Sequence, residues 1–394
     1  MKKIAMLLNG PIKNDYRVIK TIETLSQNNF VHLFYINGNS ADKNIFNNHV
    51  TLVNSEHKVN VKVNILRHTW FCFEFAYFKK IVNKRNIKFD IIWANDLPTL
   101  YPAYKIAKTL NAKLVFDSHE IYTETINQFF PRNSSGIKRL IFDGIIYFMR
   151  AHGKRIEKKI IPNTDLFITV NESLLQYFQN RYPIGKGIVI MNLPRMANNG
   201  VQETINLKQH FSWESKSQIV LYQGQLNEGR GIRLLVESFL ILPRHYKLII
   251  IGNGIIESEL KHWVNSNFLS ERIQFVNTIP LADLPSFTAC ADVGINLLET
   301  FNLSKQLASP NKLFEYIHAG IPIVASNTIE NQRVFEKFKI GILTENTPAE
   351  IAEAIIQVAS QDKRIYQQAL LDAKRCYHWE NQEESLNSMI NTGL

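Results

Sequence analysis

The stretch SPNKLFEYIHAGIPIVAS places a cation and a carboxylate at the start of a predicted short helix. Lys312 and Glu315 are three residues apart, so they lie on the same helical face and can contact one ligand. Ser309 is predicted to be the N-cap, Pro310 suits the first helical position, and Gly320 is predicted to end the helix in the left-handed conformation. The structural alternative is an exposed Lys–Glu pair, which contributes little to stability.

Two further turns in the second half of the chain place glycines after apolar strands. In YQGQLNEGRGI, Gly224 allows a ligand to approach the backbone closely, and Arg230 stands where a helix N-terminus presents N–H groups to an anion. The turn IGNG supplies Gly252 in a similar position after YKLIII. These residues favour an anion-binding site. The alternative is an ordinary strand–helix turn with a surface arginine.

Polar residues of the first half also follow predicted strands. DSHE puts His119 and Glu120 after the strand AKLVF, and WANDLP puts Asp96 after FDIIWA. Because ligands bind beyond the carboxyl ends of strands in open α/β sheets, these side chains are candidates for binding an acceptor. Each residue could instead have a structural role. The argument for a binding site is that all of them follow the ends of predicted strands. The first strand-to-helix connection adds four candidates, which are Asn9, Gly10, Asp15 and Arg17.

The segments that position these candidates are short apolar runs that alternate with helical patterns along the chain. This alternation predicts parallel sheets with helices on both faces, built twice, with the two sheets facing one another across a cleft. The polar stretch 192–218 interrupts the alternation and predicts a domain boundary. The predicted strands are IAMLL, VHLFYI, FDIIWA, AKLVFDS, DLFITV and GIVIM, followed by IVLYQ, YKLIII, IQFV, DVGINLL and IPIVAS. The predicted helices include DYRVIKTIETLSQ, TLYPAYKIAKTL and GIRLLVESFLIL.

Length and composition limit the class of protein. A chain of 394 residues with 45% hydrophobic and 20% charged residues is typical of a soluble globular protein with two full-sized domains. The N-terminal apolar run IAMLL is short and is predicted to be the first strand rather than a signal peptide. No run approaches the ~20 apolar residues of a membrane-spanning helix. The three cysteines are Cys72, Cys290 and Cys376, which are far apart in the sequence and lack metal-ligand spacing. This pattern favours buried thiols in a protein of a reducing compartment.

Positive charge is concentrated in the first half of the chain. Residues 1–200 hold 28 Lys and Arg against 14 Asp and Glu, a net charge of +14, whereas the remaining residues carry −4. An anionic membrane, an anionic acceptor or nucleic acid could attract such a surface, but the sequence shows no nucleic-acid-binding motif. The stretches RHTWFCFEFAYFKK and GIKRLIFDGIIYFMRAHGKRIEKK favour docking on an anionic membrane face. The alternative for each is a solvated helix that packs on the sheet.

Together, these stretches resemble the retaining glycosyltransferases of the GT-B fold, in family four, also called glycosyl transferases group 1. The resemblance covers about nine-tenths of the length, in the family's order. It implies two Rossmann-like domains, an acceptor-binding domain at 1–195 and a nucleotide-sugar-binding domain at 196–377, and a C-terminal helix at 378–394 that crosses back to the N-terminal domain. The matching stretches are DYRVIKTIETL, FDIIWANDLPTL, LVFDSHE, TDLFITVNESLLQYF, IVIMNLP, YQGQLNEGRGI, IGNG, ACADVGI and, most specifically, SPNKLFEYIHAGIPIVAS.

The resemblance implies roles for the candidate residues. Asn311 and Lys312 would meet the diphosphate of a nucleotide sugar, and Glu315 would accept hydrogen bonds from the ribose hydroxyls. Backbone atoms at Ile279 would meet the base, and His119 would face the donor sugar and the acceptor. The implied catalytic residues are His119, Arg230 and Lys312. The implied nucleotide-sugar contacts are Gly224, Gln225, Arg230, Gly252, Ile279, Ser309, Asn311, Lys312 and Glu315. The expected acceptor contacts are Asn9, Gly10, Asp15, Arg17, Asp96 and Glu120.

Two positions depart from the family pattern. Gln225 stands where the family often has a basic residue, and Leu307 stands where it often has a glutamate that contacts the donor sugar. Glu299 is too distant in the sequence to be assumed as a substitute for that glutamate. Lys312 and backbone amides near Ser309 are therefore expected to take over part of the contact with the donor.

The expected reaction is transfer of a sugar from a UDP- or GDP-sugar to a hydroxyl acceptor, with retention at the anomeric carbon. The expected acceptor is a cell-surface glycan or a lipid-linked oligosaccharide precursor of a bacterial envelope polysaccharide. Cations and helix N-termini would stabilise the leaving diphosphate, and the chain has no Asp-x-Asp pair placed like a metal clamp, so no metal or other cofactor is expected. The expected location is the cytoplasm, or the inner face of the cytoplasmic membrane as a peripheral protein. Nucleic acid is not an expected partner.

Three other functions fit parts of the sequence. A nucleotide-sugar epimerase or hydrolase of the same fold would use the diphosphate site without an acceptor. A non-catalytic nucleotide-sugar-binding subunit would keep the fold without the activity, and Gln225 and Leu307 favour that alternative. A Rossmann dehydrogenase is disfavoured, because no GxGxxG motif follows the first strand.

Overall fold

The structure, a computed structural model, describes residues 1–39, 42, 45–46, 49–55, 87–130, 135–196, 206–280, 283–392 and 394. The chain divides into a first unit, Met1–Asn192 with Gln382–Leu394, and a second unit, Leu193–Asn381. The sequence predicted domain limits after residues 195 and 377, and the chain changes unit after Asn192 and after Asn381.

The described strands of the first unit form one parallel sheet in the order β3-β2-β1-β4-β5-β6-β7. The chain runs outward from β1 to β3 on one side and from β4 to β7 on the other, so the order reverses between β1 and β4. Ligands bind at such a switch point in open α/β sheets. The strands are β1 Lys3–Leu8, β2 Phe30–Ile36, β3 Val50–Ser55, β4 Ile91–Asn95, β5 Lys113–Ser118, β6 Leu166–Thr169 and β7 Gly187–Val189.

The first sheet is covered on both faces. All residues of β4 are buried, and only the first residue of β1 is exposed, which explains why these strands are apolar at successive positions rather than at alternate ones. Polar caps begin two of the helices, since Asp15 accepts a hydrogen bond from the Val18 N–H at 3.1 Å and Asn171 accepts one from the Leu174 N–H at 2.8 Å. The helices are α1 Tyr16–Ser26, α2 Asp96–Leu110, α3 Tyr122–Thr125, α4 Gly136–Ile160 and α5 Glu172–Gln179.

The second unit has a parallel sheet of the same design. Its described strands follow the order β10-β9-β8-β11-β12-β13, so the switch point lies between β8 and β11. The strands are β8 Gln218–Gln223, β9 Tyr246–Ile251, β10 Ile273–Val276, β11 Val293–Asn296, β12 Ile323–Ser326 and β13 Gly341–Thr344. The helices are α6 Leu207–His210, α7 Ile232–Ser238, α8 Glu257–Ser266, α9 Leu284–Thr288, α10 Leu303–Gln306, α11 Asn311–Ala319, α12 Ile329–Lys337, α13 Pro348–Ser360 and α14 Arg364–Cys376.

The last helix, α15 Glu380–Asn391, returns to the first unit, as the resemblance implied. The Gln382 side chain accepts a hydrogen bond from the Met191 N–H at 2.9 Å and donates one to the Met191 carbonyl at 2.6 Å. Glu383 accepts a hydrogen bond from the Thr24 hydroxyl at 2.9 Å. The apolar side of the helix is buried through Leu386 and Ile390.

All of the predicted strands are present, but the prediction missed β3 and β13 and made one helix too long. Both missed strands are the outermost strands on one side of their sheets, and β13 is largely half-buried, so neither forms a long apolar run. The helix predicted from GIRLLVESFLIL ends at Ser238, and the apolar residues Leu240 and Ile241 beyond it are exposed.

The expectation of buried thiols is wrong for the two cysteines that the structure describes. Cys290 and Cys376 are thiols rather than members of a disulfide, and both are partly exposed. The Cys376 sulfur lies 3.2 Å from the Lys337 ammonium, which shows that it reaches polar surroundings. Cys72 and the stretch RHTWFCFEFAYFKK lie outside the described residues. None of the described helices is both long and apolar enough to cross a membrane.

We expect Gly252→Ala to destabilise the second unit. Gly252 has a φ of 135°, and an added Cβ would lie 2.0 Å from the Gly224 carbonyl oxygen, so one of the two turns must move. The expected cost is about 1–3 kcal/mol, the usual cost of overpacking, and it would lower the midpoint of urea unfolding. Gly185→Ala is the control, because nothing lies within 4 Å of its added Cβ. Equal midpoints for the two variants would contradict the close approach of the turns.

Candidate functional site

Helix α11 lies at the switch point of the second sheet because a buried tyrosine attaches it there. The Tyr316 hydroxyl lies 3.2 Å from the carbonyl oxygens of Leu221 in β8 and Ile295 in β11, and it accepts a hydrogen bond from the Gln223 N–H at 3.2 Å. Gly294 leaves room for the ring, since a Cβ at that position would lie 2.6 Å from it. The first turns of α11 are therefore held beside the ends of β8 and β11.

The N-cap of α11 differs from the sequence prediction. Pro310, not Ser309, is the cap residue, with an extended backbone and no side-chain hydrogen bond to the helix. Asn311 is the first helical residue and is exposed. Because no side chain caps this end, the first N–H groups of α11 are directed toward whatever lies before the helix. The predicted end is confirmed, since Gly320 has a φ of 72°.

Lys312 is the most unusual residue of this helix. Its side chain is only 6% exposed, and no hydrogen-bond partner for its ammonium is present among the described residues. The ammonium lies 4.0 Å from the centroid of the Tyr222 ring, a cation–π contact that offsets part of the burial cost. Burial and the nearby Arg230 guanidinium hold the pKa of Lys312 well below its usual range. The exposed Lys–Glu pair that the sequence left open is therefore wrong for Lys312.

Glu315, one turn further along α11, is held by a chain of polar side chains. One carboxylate oxygen accepts a hydrogen bond from the side-chain amide of Gln223, the last residue of β8. The amide oxygen of Gln223 lies 2.8 Å from the Thr288 hydroxyl at the end of α9, which donates to it. Gln223 is buried, so its amide is fixed between the hydroxyl and the carboxylate. These two hydrogen bonds orient the Glu315 carboxylate.

Arg230 lies in the turn before α7, in a segment that a second carboxylate organises. Glu299 accepts a hydrogen bond from the Gly231 N–H at 3.2 Å, and its own N–H donates to the Gly229 carbonyl at 3.1 Å. Glu299, distant in sequence, is thus beside the turn that carries Arg230. Leu307, where the family often has a glutamate, is a buried apolar side chain.

The glycine turns after β8 and β9 are in contact with one another. The Gly224 N–H donates to the Ile251 carbonyl at 3.0 Å, and Gly224 has a φ of 130°, a conformation that favours glycine. Gln225 is exposed, and its side chain accepts a hydrogen bond from the Asn227 side chain at 3.1 Å. The position where the family often has a basic residue therefore carries a neutral amide here. Of the other predicted contacts in this unit, Ile279 follows β10 and Ser309 precedes α11, and both are half-buried.

In the first unit, the switch point holds a histidine between two carboxylates. His119 follows β5, and its Nδ1 lies 3.3 Å from Asp96 Oδ2, while its Nε2 lies 3.5 Å from Asp117 Oδ1. The backbone N–H of His119 also donates a hydrogen bond to the other carboxylate oxygen of Asp96, Oδ1, at 2.9 Å. Asp117 forms a buried ion pair with Arg17 at 2.6 Å. Asp96 has a φ of 58°, a strained conformation for this residue, at the start of α2.

The charges of this cluster are set by its mutual contacts. Burial disfavours the imidazolium, but Asp96 and Asp117 outweigh it and raise the pKa of His119 to about 9. Burial also disfavours ionised Asp117, but Arg17 and His119 lower its pKa to about 2. Burial raises the pKa of Asp96 above its usual value. At neutral pH, His119 is therefore a cation that can donate hydrogen bonds, rather than a general base.

Three of the remaining predicted acceptor residues have partners within the first unit. Asp15 caps α1, and Arg17 is paired with Asp117 and donates to the Ile190 carbonyl. Glu120 accepts a hydrogen bond from the Thr125 hydroxyl at 2.9 Å. Asn9 and Gly10 are half-buried after β1. Asp96 and His119 are brought together, whereas the described contacts do not join Asn9 or Gly10 to that pair.

Sequence reasoning missed the residues that orient the site. Gln223 and Thr288 are ordinary polar residues in the sequence, and their roles come from contacts with distant parts of the chain. The one usable signal is Gln223, the last residue of the strand QIVLYQ. Between its two terminal glutamines, this strand is apolar. No group of three His, Cys, Asp or Glu in the described part of the chain is arranged to hold a metal ion.

Comparison with known proteins finds one family model that matches part of the second unit. Residues 203–371 match the family model described as "Glycosyl transferases group 1". The chain is also 22% identical to the spore coat protein SA of Bacillus subtilis (strain 168) over 254 residues. That match covers 58% of this chain and 65% of the spore coat protein, so it spans slightly less than two thirds of the relative.

Solved structures show the fold. HepE from Anabaena, in complex with UDP and glucose, is similar with a TM-score of 0.70 at 16% identity, over 99% of this chain and 98% of that protein. Sucrose-phosphate synthase from Thermosynechococcus elongatus is similar with a TM-score of 0.74 at 16% identity, over the same shares of the two chains. The fold is α/β, with two Rossmann-like units of the GT-B type.

We expect Asp96→Asn to lower the pKa of His119 from about 9 toward the ordinary histidine value, because the variant loses a carboxylate 3.3 Å from Nδ1. The titration is measured from the histidine Cε1–H signals by NMR, and His119→Gln assigns the signal. Because the folded-state pKa is raised, His119 stabilises the fold fully below about pH 6.5 and loses this effect as the pH rises through about 9.

The control for this titration is Asp143→Asn, since Asp143 is exposed on α4 and pairs with Arg139. It should leave the His119 titration unchanged. A His119 signal that titrates near pH 6.5 in the unaltered protein would contradict the charge assignment.

Proposed function

We propose that the protein belongs to the glycosyl transferases group 1 family, whose model matches residues 203–371, and that it transfers a sugar from a nucleoside diphosphate sugar to a hydroxyl acceptor. The observation that carries this proposal is the buried ammonium of Lys312 at the start of α11, near Arg230 and one turn before Glu315. A buried cation without a hydrogen-bond partner in the described protein favours an anionic ligand.

The diphosphate would lie at the start of α11. Lys312, Arg230 and the uncapped N–H groups of the helix together supply positive charge to one point, and a low-dielectric surrounding strengthens each interaction. Glu315, oriented by Gln223, would accept hydrogen bonds from the ribose hydroxyls through its remaining acceptor capacity. Gly224 and Gly252 would let the nucleotide approach the backbone, and the base would lie near Ile279. UDP and GDP are the proposed nucleotides, and HepE was solved with UDP.

Catalysis would consist of stabilising the charge that grows on the leaving diphosphate. Lys312 and Arg230 are held in place before the reaction, and loss of one comparable donor typically costs roughly 2.7–4 kcal/mol in the barrier. A double displacement would need a carboxylate beneath the anomeric carbon. Leu307 is apolar and Glu299 is bonded to the Gly231 N–H, so we propose same-face attack with retention, in which the leaving phosphate takes the acceptor proton. No metal ion is part of this proposal.

The first unit is proposed to bind the acceptor. His119 would donate a hydrogen bond as a cation, and Asp96 would hold it in that state. Asn9, Gly10 and Glu120 are the further proposed acceptor contacts, while Asp15 and Arg17 would act through the helix cap and the ion pair that they form. The net charge of +14 in residues 1–200 supports an anionic or lipid-linked glycan precursor, used in the cytoplasm at the inner face of the membrane.

We expect Glu315→Ala to weaken binding of UDP or GDP by about 1.5–3 kcal/mol, the usual worth of hydrogen bonds to a charged group. Gln223→Leu should weaken binding by a smaller amount, about 0.5–1.5 kcal/mol, because Glu315 stays but loses the amide that orients it. Isothermal titration calorimetry measures both. Glu336→Ala, an exposed glutamate on α12, is the control and should bind as the unaltered protein does. Equal affinity for Glu315→Ala and the control would remove the proposed role of Glu315.

The reaction itself is tested by incubating the protein with labelled UDP- and GDP-sugars and candidate lipid-linked acceptors. We expect release of nucleoside diphosphate to depend on the acceptor, and NMR of the product to show the anomeric configuration of the donor. Release at the same rate without acceptor would favour the epimerase or hydrolase. Tight nucleotide binding with no turnover across all donors and acceptors would favour a non-catalytic subunit.

A further inference from the structure

Helix α4, Gly136–Ile160, exposes a continuous apolar stripe over its first half. Ile137 is 77% exposed, Leu140 is 73% exposed and Tyr147 is 76% exposed. With 100° per residue, these side chains fall on one face of the helix, and large exposed apolar patches mark interaction sites. We refer to the following residues as the apolar stripe of α4: Ile137, Leu140, Ile141, Tyr147 and Phe148.

The opposite face of α4 is buried in the core of the first unit. Ile146, Met149 and Ile156 are buried and belong to the same hydrophobic cluster as the strands β4 and β5. Glu157 is also buried on this face, where it accepts a hydrogen bond from the Tyr182 hydroxyl at 2.9 Å. The helix is therefore anchored to the unit along one side, and its apolar stripe points away from the core.

The second half of α4 continues the exposed face with cations. Arg155, Lys158 and Lys159 lie at the same helical angles as the apolar stripe, about two to three turns beyond Phe148, and all three are exposed. Lys154 flanks them and lies 3.6 Å from Glu124. The carboxylates of α4 do not neutralise this face, since Asp143 is paired with Arg139 and Glu157 is buried.

We propose that this face of α4 docks on an anionic lipid bilayer. The apolar stripe would enter the boundary between headgroups and acyl chains, and Arg155, Lys158 and Lys159 would contact lipid phosphates. Tyr147 and Phe148 lie where the apolar half meets the basic half, as aromatic side chains do at membrane interfaces. Charge complementarity favours a bilayer over a second copy of the chain, because two such basic faces would repel each other.

The inference rests on the proposed function in one respect: a lipid-linked acceptor would give the protein a reason to dock on a membrane. Lipid docking does not require turnover or nucleotide binding, and the residues of the face are separate from those proposed to bind the nucleotide. A failure of either proposal can therefore be recognised separately, by measuring lipid binding and nucleotide affinity on the same variants.

The test is flotation of the full-length protein with vesicles of phosphatidylcholine, with and without about 30 mol% phosphatidylglycerol. One variant combines Leu140→Gln, Ile141→Gln and Tyr147→Gln, and a second combines Lys158→Glu and Lys159→Glu. We expect the unaltered protein to bind the anionic vesicles at least about tenfold more strongly than the neutral ones, and each variant to lose at least about tenfold. Raising NaCl to about 0.5 M should also weaken binding, because salt screens exposed charges.

Matched controls separate this face from general surface properties. Leu240→Gln with Ile241→Gln removes an exposed apolar pair from the second unit, and Lys105→Glu with Lys108→Glu reverses two exposed charges on α2. Both controls should keep vesicle binding. All variants should keep the melting temperature and the UDP affinity of the unaltered protein, since the altered side chains are exposed and lie outside the candidate nucleotide site.

Three results would overturn the proposal. The first is no binding to anionic vesicles, or equal binding to neutral and anionic vesicles. The second is an equal loss of binding in the control variants. The third is an unaltered protein that self-associates in analytical ultracentrifugation and becomes monomeric in the Leu140, Ile141 and Tyr147 variant without any lipid binding, which would assign the face to a second copy of the chain.

Discussion

Burial of the Lys312 ammonium at the start of α11 is the interaction on which the candidate site depends. Removing an ammonium from water is costly unless an opposite charge or hydrogen bonds replace the water. The Tyr222 ring and the Glu315 carboxylate offset part of this cost, whereas the nearby Arg230 adds repulsion. The local structure thus favours a multiply charged anion, and Glu315 beside it adds an acceptor for hydroxyl groups. A nucleoside diphosphate combines both features in one molecule.

The two sheets prepare such charges in the same way. Strands with apolar interiors bring polar residues to their carboxyl ends, and reversal of the strand order collects those ends at one point. In the second unit the result is a concentration of positive charge around Lys312 and Arg230. In the first unit it is a balanced cluster, in which Asp96 and Asp117 enclose His119 and keep it cationic. A fixed imidazolium suits orientation and hydrogen-bond donation better than proton abstraction.

The sequence predicted much of the fold because its signals are local. Apolar runs marked most strands, and the stop at Gly320 depends only on its own backbone conformation. Lys312 and Glu315 could be paired for the same reason, by their spacing on one helix. The edge strands β3 and β13 and the cap of α11 depend on what packs against each segment, which periodicity does not reveal. Gln223 acquires its role from Thr288 and Glu315, which are 65 and 92 residues away in the chain.

Thermal unfolding of Lys312→Met, with and without saturating UDP or GDP, tests the central claim most directly. If the buried ammonium awaits an anion, the variant without nucleotide should unfold at the same or a higher temperature than the unaltered protein, because an apolar side chain replaces a buried charge that has no hydrogen-bond partner in the described part of the chain. Nucleotide at 100 times its dissociation constant should add about 2.7 kcal/mol to the stability of the unaltered protein, and clearly less at the same concentration to that of the variant. A variant that is less stable alone, yet gains as much from the nucleotide, would contradict the account.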